Sequence, residues 1–146
     1  MIAKSVWKDG MLFEGHSETG HSVTFDAGTA HASGPTPMEA VLMALCACTS
    51  VDVVSILQKK REPLTSLTVS ATAEQAPAPP RVFTRINLGY LIGGPVSRKA
   101  AEDAIALSKN KYCSVSKMLE QAAEIHFEIE YADEKSTPEP MTTAAE

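Results

Sequence analysis

The chain has 146 residues, 44% of them hydrophobic and 21% charged, with a net charge of -5 at neutral pH. That is enough for one modest domain with its own core, while the scattered Lys and Arg leave no footprint for nucleic acid and no basic amphipathic segment suits a membrane surface. Three cysteines, an odd number, argue against a structural disulfide framework and leave room for a redox or nucleophilic thiol.

The opening "MIAKSVWKDG" lacks the basic, apolar and small-residue sections of a secretory signal, so the expected compartment is the cytoplasm. "AKSVWK", "MLFEGH" and "HSVTFD" read as a three-stranded meander whose turns are "DG" and "ETG". "AGTAHASGPTP" is loop by composition. A helix then starts with Thr36 as N-cap, Pro37 at the first helical position and Glu39 closing a capping box. It is expected to run to about Lys60, before Pro63.

This helix is apolar nearly all round, and Ala40 to Leu57 has the length of a membrane span. Asp52, Thr49, Ser50 and Ser55 inside it, and the lack of a basic flank before it, point instead to a buried helix of a soluble protein. "SLTVSATA" and "VFTRINLGYLI" alternate as strands on either side of a Pro-rich loop. After "GGP", Ser97 caps a second helix to about Asn110, a short third helix follows Ser114, and "EIHFEIEYA" is a last strand. From Asp133 onward the polar composition reads as a disordered tail, leaving residues 1–132 as a single α+β domain. So few elements cannot enclose a seven-turn apolar helix, which suggests a homodimer.

Residues two apart on a helix point about 200° away from each other, so Cys46 and Cys48 cannot pair or grip one metal ion. Cys48 shares its face with Ala44, Leu45, Val51 and Asp52; Cys46 shares its own with Leu42, Met43, Thr49 and Ser50. Local pattern alone reads either thiol as packing. Cys113 is different, since a helix capped by Ser114 would leave its thiol beside a positive dipole end and favour the thiolate; a plain loop cysteine fits equally.

"GPTPMEAVLMALCAC", followed some sixty residues later by "KYCSV", resembles the OsmC/Ohr family, the osmotically inducible and organic hydroperoxide resistance proteins. "VDVVSILQKK" and "FTRINL" resemble its OsmC-like branch, and the likeness runs from the meander through the last strand. It implies antiparallel sheets wrapped around long central helices in an intertwined homodimer with active sites at the subunit interface. It also implies a peroxidase of oxidative-stress defence in which Cys48 attacks an organic hydroperoxide and becomes a sulfenic acid, Cys113 closes a disulfide, and an external dithiol restores the pair. No metal or other cofactor is implied.

The family's peroxidases place a Glu directly after the helix-opening Pro and an Arg before that helix. Here Met38 holds the first position, Glu39 one residue later is the candidate left for the catalytic carboxylate, and no Arg precedes Arg61. Substitutes for the cation would be His16, His21, His31, Arg81 or Arg85, while Asp52 on the Cys48 face opposes a thiolate unless it is itself paired. The missing pair leaves an alternative, a non-catalytic member that holds a hydrophobic small molecule at the dimer interface. No Cys or His pair has metal-ligand spacing on one helical face.

Overall fold

The computed structural model describes residues 1–132. The segment expected to be a disordered tail, 133–146, lies outside the described residues. Two compact units divide at the middle of the long helix, one from Met1 to Leu45 and the other from Cys46 onward.

In the first unit, β1 (Ala3–Asp9), β2 (Leu12–Ser17) and β3 (Ser22–Asp26) form an antiparallel sheet in sequence order. The two turns use glycine where the backbone demands it: Gly10 sits at φ 50° and Gly20 at φ 85°. The loop before the helix is organised by buried Asp26, whose carboxylate accepts from the backbone N–H groups of Gly28 (2.8 Å) and Ser33 (3.1 Å). Those two bonds hold its carboxyl below the usual range. Every residue of β1 is exposed, Trp7 at 65% included.

Helix α1 (Pro37–Lys59) begins with the expected capping box. Glu39 Oε2 accepts from Thr36 N–H at 2.7 Å, and Thr36 Oγ1 accepts from Glu39 N–H at 3.2 Å. The helix is long and apolar enough to cross a membrane, yet only 22% of its most apolar window is buried in the chain, and Met43 and Val51 are exposed.

In the second unit, β4 (Ser66–Gln75), β5 (Phe83–Gly93) and β6 (Glu124–Ala132) form the other sheet, again in sequence order. The alternation of "INLGYLI" is realised directly, because Ile86, Leu88, Tyr90 and Ile92 are all buried on one face. Also buried are Val53 and Leu57 of α1 and Ala100, Ala101, Ala104 and Ile105 of α2 (Arg98–Leu107). Ser97 caps α2 as expected, accepting from Ala100 N–H.

Three details differ from the sequence reading. The sheets are not wholly antiparallel, since β6 runs parallel to β5. A parallel return needs a crossover, and the helices between the two strands supply it. The second helix does not stay α-helical to Asn110: it widens at Ser108–Tyr112 into a π turn closed by Cys113 N–H to Ser108 O at 2.8 Å. The third helix, α3 (Ser114–Leu119), is capped by Cys113 and not by Ser114, because the π turn delivers Cys113 in an extended conformation one residue early.

The capping box should be measurable by denaturation. Thr36→Ala is expected to lose about 1 kcal/mol. Mutual bonding with Thr36 lowers the Glu39 pKa below 4.5, so the carboxylate's share of stability is present above that pH and lost as pH falls through the lowered value. Urea titrations of the wild type and Glu39→Gln should therefore converge in acid.

Candidate functional site

Cys48 and Asp52 lie one turn apart on α1, on the same face. Cys113, 65 residues further along from Cys48, caps α3. The crossover brings them together: the two sulfur atoms and a carboxylate oxygen of Asp52 all lie within 4.8 Å of one another. The cysteines are free thiols, Cys48 half-buried and Cys113 fully buried.

Behind this triplet runs a chain of hydroxyl groups. Ser108 Oγ donates to Asp52 Oδ2 at 2.9 Å, Thr49 Oγ1 lies 2.9 Å from Ser108 Oγ, and Tyr90 Oη lies 2.7 Å from Thr49 Oγ1. Each hydroxyl has one proton. With Ser108's given to Asp52, Thr49 must donate to Ser108 and Tyr90 to Thr49, so the whole chain points toward the carboxylate. Burial pushes the Tyr90 hydroxyl up to about 12, which keeps the head of the chain a donor. Among the described residues no buried side-chain polar atom lacks a partner.

The Cys113 thiol does not follow the dipole argument made from sequence. Burial pushes it above its ordinary range, bonds from Ser116 pull it back only in part, and neighbouring Cys48 raises it again. Its sulfur accepts from Ser116 N–H at 3.4 Å. Desolvation outweighs a dipole that only a six-residue helix supplies. Cys46 is likewise pushed up by burial.

The other sequence candidates are engaged locally. Glu39 forms the helix cap. His31 Nδ1 lies 3.0 Å from the Asp26 carbonyl, His16 lies 3.5 Å from Glu14, and His21 lies 3.1 Å from Thr19. Arg85 is exposed and sits between Glu74 (3.7 Å) and Glu124 (3.8 Å), bridging the surfaces of β4 and β6. Arg81 lies in the exposed loop before β5.

Sequence reasoning missed Ser108 and Tyr90. For Tyr90 the strand alternation carried a signal, whereas a serine near a helix end carries none. Beside Asp52 opens a cleft of about 320 Å³ lined by Ser55, Ile56, Lys59, Lys60, Leu107 and Tyr112.

The model of the OsmC-like protein family matches residues 30–130. Protein YhfA of Escherichia coli K12 is 44% identical over 126 residues, which span 86% of this chain and 93% of that protein. Among solved structures, an OsmC like protein from Mycoplasma pneumoniae superposes with a TM-score of 0.80 at 20% identity, over 90% of this chain and 96% of that one. The organic hydroperoxide resistance protein OhrB of Bacillus subtilis does so with 0.62 at 14%, over 89% and 98%. At these identities the two structures speak for the fold alone.

Removing Ser108's hydroxyl strands groups on both sides of it. Ser108→Ala should cost about 1–3 kcal/mol in urea unfolding, and more than Tyr90→Phe, which removes only the outermost donor.

Proposed function

The chain belongs to the OsmC-like protein family, and on that premise we propose that it is a thiol-dependent peroxidase for organic hydroperoxides, serving oxidative-stress defence in the cytoplasm. The observation that carries the reading is the approach of Cys48 and Cys113 within 4.8 Å across 65 residues of sequence. A disulfide needs sulfur atoms about 2 Å apart, so the two thiols stand near each other but must close further to bond.

Cys48 is the attacking thiol and Cys113 the resolving one. The half-exposed sulfur meets the substrate, and the fully buried one, protonated at neutral pH, waits. Asp52 takes the Cys48 proton as sulfur attacks the outer peroxide oxygen, and hands it to the departing alkoxide. This step yields an alcohol and Cys48 sulfenic acid. The Cys113 thiol then displaces water from the sulfenic sulfur and closes the disulfide. An external dithiol reduces it, so that one hydroperoxide and two thiols become one alcohol, one water and one disulfide.

Ile56, Leu107 and the Tyr112 ring beside Asp52 suit an organic substituent better than hydrogen peroxide. Glu39 is assigned to the helix cap here, and a catalytic role for it would compete with that bond. The exposed β1 sheet and the uncovered Met43 and Val51 of α1 favour a second copy of the chain as cover. That no cation is bonded to the thiols among the described residues favours one other reading, a hydrophobic-ligand binder whose cysteines do not turn over.

Dithiol-dependent consumption of cumene hydroperoxide should exceed that of hydrogen peroxide and fall to background in Cys48→Ser. Asp52→Asn should retain the fold and lose about 100-fold in rate. Mass spectrometry after mild oxidation should find Cys48 joined to Cys113 with Cys46 reduced. Turnover no greater than background, and unchanged in Cys48→Ser, would sink the peroxidase and leave the binder.

A further inference from the structure

The same triplet has a property that peroxide chemistry does not use. Cys48 and Asp52, at i and i+4 on one helical face, form a two-point grip of the kind helices use to hold metal ions. Cys113 adds a third donor from another element, within 4.8 Å of both. All three become anions on deprotonation. Among the described residues, Asp52 accepts from Ser108 and Cys113 Sγ from Ser116 N–H, while Lys59 and Lys60 line the cleft beside Asp52 without bonding to either sulfur. A divalent cation would bring one counter-charge to all three donors.

We propose that the reduced chain binds one thiophilic divalent cation, Zn²⁺ in type, through Cys48 Sγ, Cys113 Sγ and a carboxylate oxygen of Asp52. Two thiolates and a carboxylate are a donor set for zinc and unsuited to Mg²⁺ or Ca²⁺, which take oxygen ligands. Tetrahedral zinc with Zn–S bonds of about 2.3 Å sets its sulfur ligands roughly 3.8 Å apart, compatible with donors that all lie within 4.8 Å of one another. Three protein donors leave the fourth position to water.

The surroundings are built for a ligating carboxylate. Ser108 donates to Asp52 Oδ2 and is itself held by Thr49 and Tyr90, which fixes the carboxylate's orientation as hydrogen bonds to metal ligands do. Ser116 N–H donates to Cys113 Sγ, a bond that favours a thiolate once the cation is present. On binding, two thiol protons leave to solvent, and three negative charges with one divalent ion give a net charge of -1 at the site. Oxidation to the Cys48–Cys113 disulfide consumes both sulfur donors and expels the ion. Metal-bound and disulfide forms exclude each other, so the site holds its cation only when reduced.

The inference rests on the geometry and not on peroxide turnover. Fully reduced protein is titrated anaerobically with Co²⁺, whose sulfur-to-cobalt charge-transfer band reports thiolate ligation, and Zn²⁺ is then added to displace it. One equivalent per chain is expected. The band should vanish in Cys48→Ser and Cys113→Ser, persist in Cys46→Ser, and need at least about tenfold more Co²⁺ in Asp52→Asn. Diamide, a thiol oxidant, should release one equivalent of Zn²⁺ from loaded protein to a chromophoric chelator. Circular dichroism checks each variant's fold; should Cys113→Ser unfold, wild type alkylated at Cys48 replaces it. No saturable band, or a band that survives the loss of Cys48 or disappears with Cys46, overturns the proposal. Peroxide turnover without metal binding, or metal binding without turnover, separates the failure of one reading from the failure of the other.

Discussion

A buried hydrogen-bond chain, Tyr90 to Thr49 to Ser108 to Asp52, is the constraint on which the second unit's site depends. It links three elements that are distant in sequence: strand β5, helix α1 and the π turn after α2. Each hydroxyl is buried or at the edge of burial, where a missing partner costs about 1–3 kcal/mol. The arrangement is therefore all or nothing: any slip of α1 against β5 would strand several groups together. Val53, Leu57, Ile86 and Ile92 are fully buried around it, but apolar packing tolerates small displacements that the polar chain does not.

The parallel return of β6 follows from the same geometry. An antiparallel strand could have followed β5 through a tight turn, leaving no room for helices. The crossover carries α2, the π turn and α3, and its two functional products sit five residues apart: Ser108 at one end of the π turn and Cys113 at the other. The widened turn joins them by the Cys113 N–H to Ser108 O bond, so the group that orients Asp52 and the thiol beside it are set by one local feature.

Electrostatics divides the two thiols. Burial keeps Cys113 protonated at neutral pH despite its helix-capping position, which suits the resolving role assigned to it, since a sulfenic acid accepts attack from a thiol that becomes a thiolate late. Asp52, which by sequence looks like an obstacle to a thiolate, serves in the proposed reaction as a proton acceptor for Cys48. An oriented carboxylate next to a neutral thiol is a base; next to a thiolate it would be a repulsion. The proposed metal site is the other answer to the same crowding of negative charge.

Much of the fold was legible because it is written in local chemistry. Thr36, Pro37 and Glu39 spell a helix start, Gly10 and Gly20 mark turns that need positive φ, and the alternation through Tyr90 names the inward face of β5. The spacing of Cys46 and Cys48 separated their roles without coordinates. The direction of β6 and the residue that caps α3 were not legible, because strand direction is decided by where a crossover lands and a cap by where the preceding turn delivers the chain. The resemblance of two short motifs picked out Cys48 and Cys113. Only the tertiary structure gathered Asp52, Ser108, Thr49 and Tyr90 around them, for bonds between residues 41 to 59 positions apart leave no periodicity in a sequence and exist only once packing has closed the distance.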